Sequence, residues 1–112
     1  MALFININDD SFTREVLNSE IPVIVEFTAE WCGPCKQLEP ILIELFQDSK
    51  KEIRLARIDI DNCIQTTQQY QVMSIPTLIL FVNGEARQRV KGKQPADKIM
   101  EKFSPFLEEK TL

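Results

Sequence analysis

The sequence contains no histidine, and this absence removes several kinds of site from consideration. Without an imidazole there can be no cysteine activated as in Cys-His hydrolases, and no zinc site that uses histidine. Three cysteines are too few for a framework of disulfides. A single Cys-x-x-Cys supplies half of a four-cysteine zinc site, so zinc binding would require a dimer or carboxylate ligands.

Long apolar runs and an excess of positive charge are also missing. No run approaches the roughly 20 apolar residues that cross a bilayer. The first six residues lack the basic and apolar segments of a secretory leader. The formal net charge of -4 argues against a surface for nucleic acid or anionic lipid. We therefore expect a cytoplasmic protein that binds neither nucleic acid nor membranes. We also expect it to be a monomer.

The chain has the size and composition of one globular domain. It has 112 residues, of which 44% are hydrophobic, enough to form one core. Repeats, low-complexity segments and linker-like stretches are absent, so we expect a single domain over residues 1–112. Apolar alternation and apolar runs predict strands over residues 3–7, 23–27, 53–60, 77–82 and about 86–90. The Asn83-Gly84 pair predicts a hairpin between the last two strands.

Four helices are predicted between and after these strands, three from the helical spacing of apolar residues and one over a polar stretch. The first is a short helix containing Phe12, Val16 and Leu17, capped by Asp9 or Asp10. The others are expected from Pro34 to about Phe46 with a kink at Pro40, over residues 62–71, and from about Pro95 to Leu107, where Pro105 should bend the helix or end it early. This order of elements predicts an α/β fold with a mixed sheet between helices.

Two cysteines, Cys32 and Cys35, lie between an apolar strand and a helix. A thiol at a helix start lies among unpaired backbone N–H groups, which stabilise a thiolate. A disulfide closing so short a loop would stabilise the fold by only roughly 2 kcal/mol, which makes it a poor structural crosslink. Two inert buried thiols are the other alternative, but Trp31 and Gly33-Pro34 suggest an exposed turn. The sequence therefore predicts a redox pair.

The positions of the two thiols predict different roles. Cys32, at the helix start, is expected to attack a substrate disulfide, with its thiolate favoured by the helix N-terminus, the Cys35 thiol and the charge of Lys36. Cys35 lies further into the helix and should be more buried. It is expected to resolve the mixed disulfide that forms.

Glu26 is the only ionisable residue in the apolar run over residues 23–27. If it is buried, its pKa should rise, which suits a group that accepts a proton from Cys35 and returns it. The alternative is a glutamate at the sheet edge that points to water. Arg57, in the next strand, is expected to lie close enough to moderate the charge of Glu26.

Several motifs together resemble the thioredoxin family over nearly the whole chain. They are the run Phe27-Thr28-Ala29-Glu30-Trp31-Cys32-Gly33-Pro34-Cys35-Lys36, then Pro40, Asp59, Asp61, Ile75-Pro76-Thr77, Asn83-Gly84 and Gly92. The resemblance implies the thioredoxin fold, with a mixed five-stranded sheet flanked by four helices. The Trp-Cys-Gly-Pro-Cys core is typical of the members that reduce protein disulfides. It implies no cofactor, with NADPH used only indirectly through a thioredoxin reductase, and disulfide-containing proteins as clients.

The same resemblance implies a docking surface for clients beside the cysteines. It implies a cis peptide bond at Ile75-Pro76, which would present the Ile75 backbone to an extended client segment. The implied substrate-binding residues are Trp31, Gly33, Pro34, Ile75, Pro76 and Gly92. The alternative for Trp31 is simple core packing. Glu26 departs from the family, which usually has aspartate there; its extra methylene lets the carboxyl reach nearer to Cys35 but demands more room.

Two alternatives stay open from the sequence. Cys63 is either a plain, partly buried cysteine or a regulatory thiol prone to capping by glutathione or to dimer formation. The chain as a whole is expected to be a protein-disulfide reductase. It could instead be a binding module of the same fold that acts as an assembly factor without redox activity, in which case partner binding would survive loss of both Cys32 and Cys35.

Overall fold

A computed structural model describes residues 4–47 and 52–107, and its centre is a five-stranded sheet. The strands are β1 (Ile5–Ile7), β2 (Val23–Thr28), β3 (Arg54–Asp59), β4 (Thr77–Val82) and β5 (Glu85–Lys91). They lie in the order β1-β3-β2-β4-β5, so β2 is the central strand. The β1–β3 and β2–β3 pairs are parallel, while β2–β4 and β4–β5 are antiparallel. The predicted mixed sheet is confirmed, although Leu3 lies outside the described residues.

Both faces of the central strands are covered, because β2 and β4 are buried along their whole length. Alternate residues point to opposite faces. Ile24 packs with Leu38 and Leu42 of the long helix that follows β2. Val25 packs in a second core with Phe12 and residues of the neighbouring strands. The residues of β2 that share the face of Ile24, including Glu26, therefore face this long helix.

The four predicted helices are present, as one π-helical turn and three α-helices. The turn is Thr13–Leu17, and the helices are α1 (Gly33–Gln47), α2 (Ile64–Gln69) and α3 (Ala96–Leu107). α1 continues through Pro40, and α3 continues through Pro105 to Leu107. Early termination at Pro105 is therefore wrong, since buried Phe103 and Leu107 hold both sides of the proline against the core. In the part of the chain that is described, no helix has the length and apolar character needed to cross a membrane.

Asp9 caps a different helix from the one expected. The π-helical turn has no side-chain cap at its start. The Asp9 carboxylate instead accepts hydrogen bonds at the start of α2, from the backbone N–H of Thr66 at 2.9 Å, its hydroxyl at 2.7 Å and the N–H of Gln65 at 3.3 Å. The Thr66 hydroxyl is the main cause that lowers the pKa of Asp9. The predicted cap on the first helix is wrong, because the backbone groups that Asp9 binds, those of Gln65 and Thr66, lie more than 50 residues later in the sequence.

The Asn83-Gly84 turn joins β4 to β5, as the sequence predicts. Both residues have positive φ, 53° for Asn83 and 80° for Gly84, which is the backbone of the tight hairpin turn that favours this pair. A Cβ atom at Gly84 would lie 2.7 Å from the backbone oxygen of Leu17. Glycine is therefore required here both by the backbone angle and by the close approach of the π-helical turn.

Candidate active site

Cys32 and Cys35 form a disulfide at the N-terminus of α1, directly after β2. Their Cα atoms are 5.4 Å apart. The backbone N–H of Cys35 donates a hydrogen bond to the sulfur of Cys32 at 3.2 Å. Cys32 is 4% exposed and Cys35 is 0% exposed, as expected for the outer and inner members of the pair. The N–H of Cys35 lies where it can stabilise a Cys32 thiolate in the reduced protein.

The loop before β4 lies beside the cysteine pair. Ile75 is partly buried and packs against the cluster of Ala29, Cys32 and Cys35. The Ile75-Pro76 peptide bond is cis, as the resemblance implies. Pro76 is itself buried, and its carbonyl oxygen accepts a hydrogen bond from the N–H of Gly92 at 2.8 Å. The fold thus brings residues 75, 76 and 92 together next to the disulfide.

Trp31 lies on the surface beside Cys32. It is 69% exposed, so the core-packing alternative is wrong. Its indole N–H donates a hydrogen bond to Oδ2 of Asp61 at 2.9 Å, which fixes the ring near the disulfide. Gly33 and Pro34 are also exposed. The surface around Cys32 is therefore open to another molecule.

Glu26 lies in the middle of the sheet, and the edge alternative is wrong. It is fully buried on the central strand, with Arg57 and Leu78 as its register neighbours on β3 and β4. Among the described residues neither carboxylate oxygen has a hydrogen-bond partner. The pKa of Glu26 is raised to about 9, first by burial and then by the carboxylate of Glu39, which accepts a hydrogen bond from a protonated Glu26 and disfavours a second negative charge.

Glu39 was not singled out from the sequence. Its carboxylate pairs with Arg57, with Nε of Arg57 donating to Oε2 of Glu39 at 3.0 Å and Nη2 donating to Oε1. Arg57 lowers the pKa of Glu26, as predicted, but Glu39 and burial outweigh it. The signal in the sequence is the spacing of Cys35 and Glu39, since residues four apart lie on one side of a helix.

A cleft of about 700 Å³ opens beside this charged group. Its walls include Glu39, Arg57 and Lys36, together with Thr28 and Ala29 from the strand end and loop before Cys32. Water in this cleft has access to the carboxylate of Glu39. Glu26 itself is fully buried, whereas Glu39 and Arg57 line this open cleft.

Cys63 is a free cysteine that belongs to a different core cluster from the disulfide and also lines the cleft. It is 1% exposed, and its thiol donates to the backbone oxygen of Ile7 at 3.6 Å. Burial is the main cause that raises the pKa of Cys63. A buried thiol with a raised pKa has little thiolate at neutral pH, so these surroundings favour the plain structural alternative.

Comparison with known proteins gives the same family throughout. The thioredoxin family model matches residues 3–104. A thioredoxin of Rickettsia typhi is 43% identical over 96 residues, covering 86% of this chain and 91% of that protein. A thioredoxin of Rickettsia felis is 41% identical over the same shares of both chains. A thioredoxin of Mycobacterium bovis is 39% identical over 100 residues, covering 89% of this chain and 86% of that protein.

The matched family and the cysteine pair agree on the chemistry. The disulfide at the start of α1 is a two-electron couple that opens to a dithiol and closes again. The protein is a thiol-disulfide oxidoreductase that reduces protein disulfides. The reaction needs no bound cofactor, because the two cysteines themselves carry the electrons. The chain belongs to the thioredoxin family.

Proposed function

We propose that Cys32 is the nucleophile of this disulfide reductase, that Cys35 is the resolving thiol, and that Glu26 accepts and returns the proton of Cys35. The observation that carries the assignment is the hydrogen bond from the N–H of Cys35 to the sulfur of Cys32. It gives Cys32 the donor that a thiolate requires at a helix N-terminus. Cys35, at 0% exposed, is shielded from clients and suited to react only with Cys32.

The proposed cycle transfers two electrons and two protons to the client. The Cys32 thiolate attacks one sulfur of a client disulfide, forms a mixed disulfide and releases a client thiolate, which takes a proton. Cys35 gives its proton to the Glu26 carboxylate, and its sulfur attacks that of Cys32. The Cys32–Cys35 bond forms, and the second client thiolate leaves and is protonated.

The surroundings of Glu26 support its proposed proton role. A pKa of about 9 leaves this carboxyl mostly protonated at neutral pH. The small ionised fraction accepts the proton of Cys35 during resolution. The protonated form returns a proton to Cys35 when the disulfide is reduced again. Both halves of the cycle thus use the same buried carboxyl.

Clients are proposed to bind across the exposed surface around Cys32. Trp31, Gly33 and Pro34 form one side of this surface, and Ile75 and Gly92 form the other, with buried Pro76 holding the backbone of the loop. Met73, which is 91% exposed, extends the apolar area. An extended client segment beside Ile75 could pair with its backbone, as in strand addition.

The physiological setting is also a proposal. A thioredoxin reductase that draws on NADPH is the expected source of electrons, because each turnover leaves the Cys32–Cys35 pair oxidised. A reducing compartment such as the cytoplasm fits a protein that carries an unpaired cysteine and works as a reductant. A monomer suffices, since all the residues assigned to the site come from one chain.

Reduction of insulin disulfides tests the cysteine assignments. With dithiothreitol or a reductase as electron source, the wild-type protein should reduce insulin and Cys32→Ser should not. Cys35→Ser should accumulate a mixed disulfide with insulin chains, because the resolving thiol is missing. A Cys32→Ser protein with full activity would overturn the assignment. Full activity loss with partner binding retained in the double variant would indicate an additional role as a binding module.

A separate measurement tests Glu26. Glu26→Gln should slow the resolution of a mixed disulfide more than the first attack by Cys32, because only resolution requires the proton of Cys35 to leave. Stopped-flow kinetics can follow the two steps separately. Equal slowing of both steps, or no slowing, would contradict the proton role.

A further inference from the structure

The buried Glu26 has a second carboxyl group beside it. Parallel pairing of β2 with β3 places Glu26 next to Arg57, with both side chains on the same face of the sheet. Arg57 makes a two-pronged ion pair with Glu39 of α1. Three elements of the fold, β2, β3 and α1, therefore bring two carboxyls and one guanidinium together.

The position of Glu39 relates this group to the reacting cysteines. Cys35 and Glu39 are four residues apart on α1, so they lie on the same side of that helix. The face of β2 that holds Glu26 also faces α1, since Ile24 packs with Leu38 and Leu42. Glu39 additionally lines the open cleft, with its side chain 19% exposed. It is thus the carboxyl of the pair that reaches water.

We propose that Glu39 is a positioning residue for the proton on Glu26: the two carboxyls hold one proton between them, Arg57 fixes the carboxylate of Glu39, and the cleft exchanges that proton with water. The inference rests on the proposed role of Glu26 as proton acceptor for Cys35. It gives the Arg57–Glu39 ion pair a role in the proton chemistry of Glu26.

The charged groups near Glu26 determine whether its protonated or its ionised form is favoured. α1 contributes Glu39 and Lys36, and β3 contributes Arg57 and Asp59, while the register neighbour on β4 is apolar Leu78. Asn6 of β1 accepts a hydrogen bond from Arg57, and Glu30 lines the same cleft. The Glu39 carboxylate favours the protonated form of Glu26, and the Arg57 guanidinium favours the ionised form.

The proton path follows in two balanced steps. Protonated Glu26 first loses its proton to water of the cleft that Glu39 lines, and this leaves the Glu26 carboxylate. This carboxylate then takes the proton from the Cys35 thiol, and the Cys35 thiolate attacks the sulfur of Cys32. No electron moves in the first step, and the second is the resolution step already described. Glu39 thereby controls the pH at which Cys35 becomes reactive.

The test is the pH dependence of the resolution step alone. A mixed disulfide between Cys32 and a peptide thiol is prepared at low pH in a Cys63→Ala background, and a jump to pH 6–10 starts the release of peptide. In the wild type the rate should rise with pH through a midpoint above neutral, since burial and Glu39 raise the pKa of Glu26. Glu39→Gln should move this midpoint down by about one pH unit, making resolution about tenfold faster at pH 7.

Two further variants separate this effect from a loss of structure. Arg57→Gln should move the midpoint up, opposite to Glu39→Gln, whereas general loosening of the site would move both variants in one direction. Glu44→Gln removes the same charge from an exposed position of the same helix and should leave the midpoint unchanged. The inference is overturned if Glu39→Gln leaves the midpoint in place, or if Glu39→Gln and Arg57→Gln shift it in the same direction.

Failure of this inference and failure of the Glu26 assignment give different results. If Glu26→Gln resolves mixed disulfides like the wild type, the proton role of Glu26 itself is wrong. If Glu26→Gln is slow but Glu39→Gln keeps the wild-type midpoint, only the role of Glu39 is wrong. Carbon-13 NMR of the Glu26 carboxyl in the oxidised protein gives the same answer without kinetics, since its titration midpoint should fall in Glu39→Gln.

Discussion

Replacing Glu26 with glutamine should make the oxidised protein more stable at neutral pH. The carboxyl is fully buried, and neither of its oxygens has a hydrogen-bond partner among the described residues. Its pKa rises from the ordinary 4.5 to about 9 in the folded protein. Folding therefore requires an ionised glutamate of the unfolded chain to take up a proton at neutral pH, which costs free energy.

The sign and size of this cost follow from the two pKa values. Below pH 4.5 the carboxyl is protonated in both states and costs nothing. Between pH 4.5 and about 9 only the folded protein keeps the proton, so its stability falls by about 1.4 kcal/mol per pH unit. At pH 7 the accumulated loss is on the order of 3 kcal/mol. Glutamine carries no ionisable group, so this loss is absent in the variant.

Urea unfolding of the oxidised proteins at pH 5, 6, 7 and 8 measures the effect. The disulfide removes the active-site thiols from the titration, and contributions of other groups cancel between variants. The free-energy advantage of Glu26→Gln should grow by roughly 1.4 kcal/mol per pH unit over this range, whatever constant cost the buried amide adds. Glu44→Gln should show no such slope. A difference between Glu26→Gln and the wild type that does not vary with pH would refute the reasoning.

Two further predictions concern the fold. Gly84→Ala should lower the free energy of unfolding by about 1–2 kcal/mol or more, because φ is +80° and the new Cβ would lie 2.7 Å from the Leu17 oxygen. Gly33→Ala, which meets nothing within 4 Å, should keep or slightly raise stability in the same urea titration, and equal losses would contradict the argument. Asp9→Ala should weaken hydrogen-exchange protection at Thr66. Since the pKa of Asp9 is lowered by folding, this difference should shrink as the pH falls below 3.8, and a constant difference would count against it.

The strands of this protein could be predicted because their signal is local. The run over residues 78–82 is apolar at every position, and β4 occupies residues 77–82. The long helix could be placed from its apolar spacing even though it contains Pro40. The ends of the helices were harder to predict, because the sequence does not show how well packing compensates for the backbone N–H that a proline lacks. Phe103 and Leu107 keep α3 together across Pro105.

The site was predicted in part. The cysteines could be placed because they adjoin a strand and a helix start, and the hydrogen bond from the Cys35 N–H follows from that local geometry. The roles of Trp31 and Glu26 depended on burial, which their neighbours in sequence leave open. Trp31 is exposed, and Glu26 is buried because β2 is the central strand. The cis bond at Ile75-Pro76 came from resemblance to the family.

The sequence by itself determined the elements, their order and the reactive pair, since these depend on apolar periodicity and on residues within one turn or strand. Tertiary structure alone decided which distant groups meet. It placed Asp9 on the start of α2, and it joined Glu26, Arg57 and Glu39 from three separate elements. These contacts form because strand order and helix packing fix positions that no spacing along the chain specifies. The thiol pair can thus be recognised in the sequence, while the charged groups around Glu26 come together only in the folded protein.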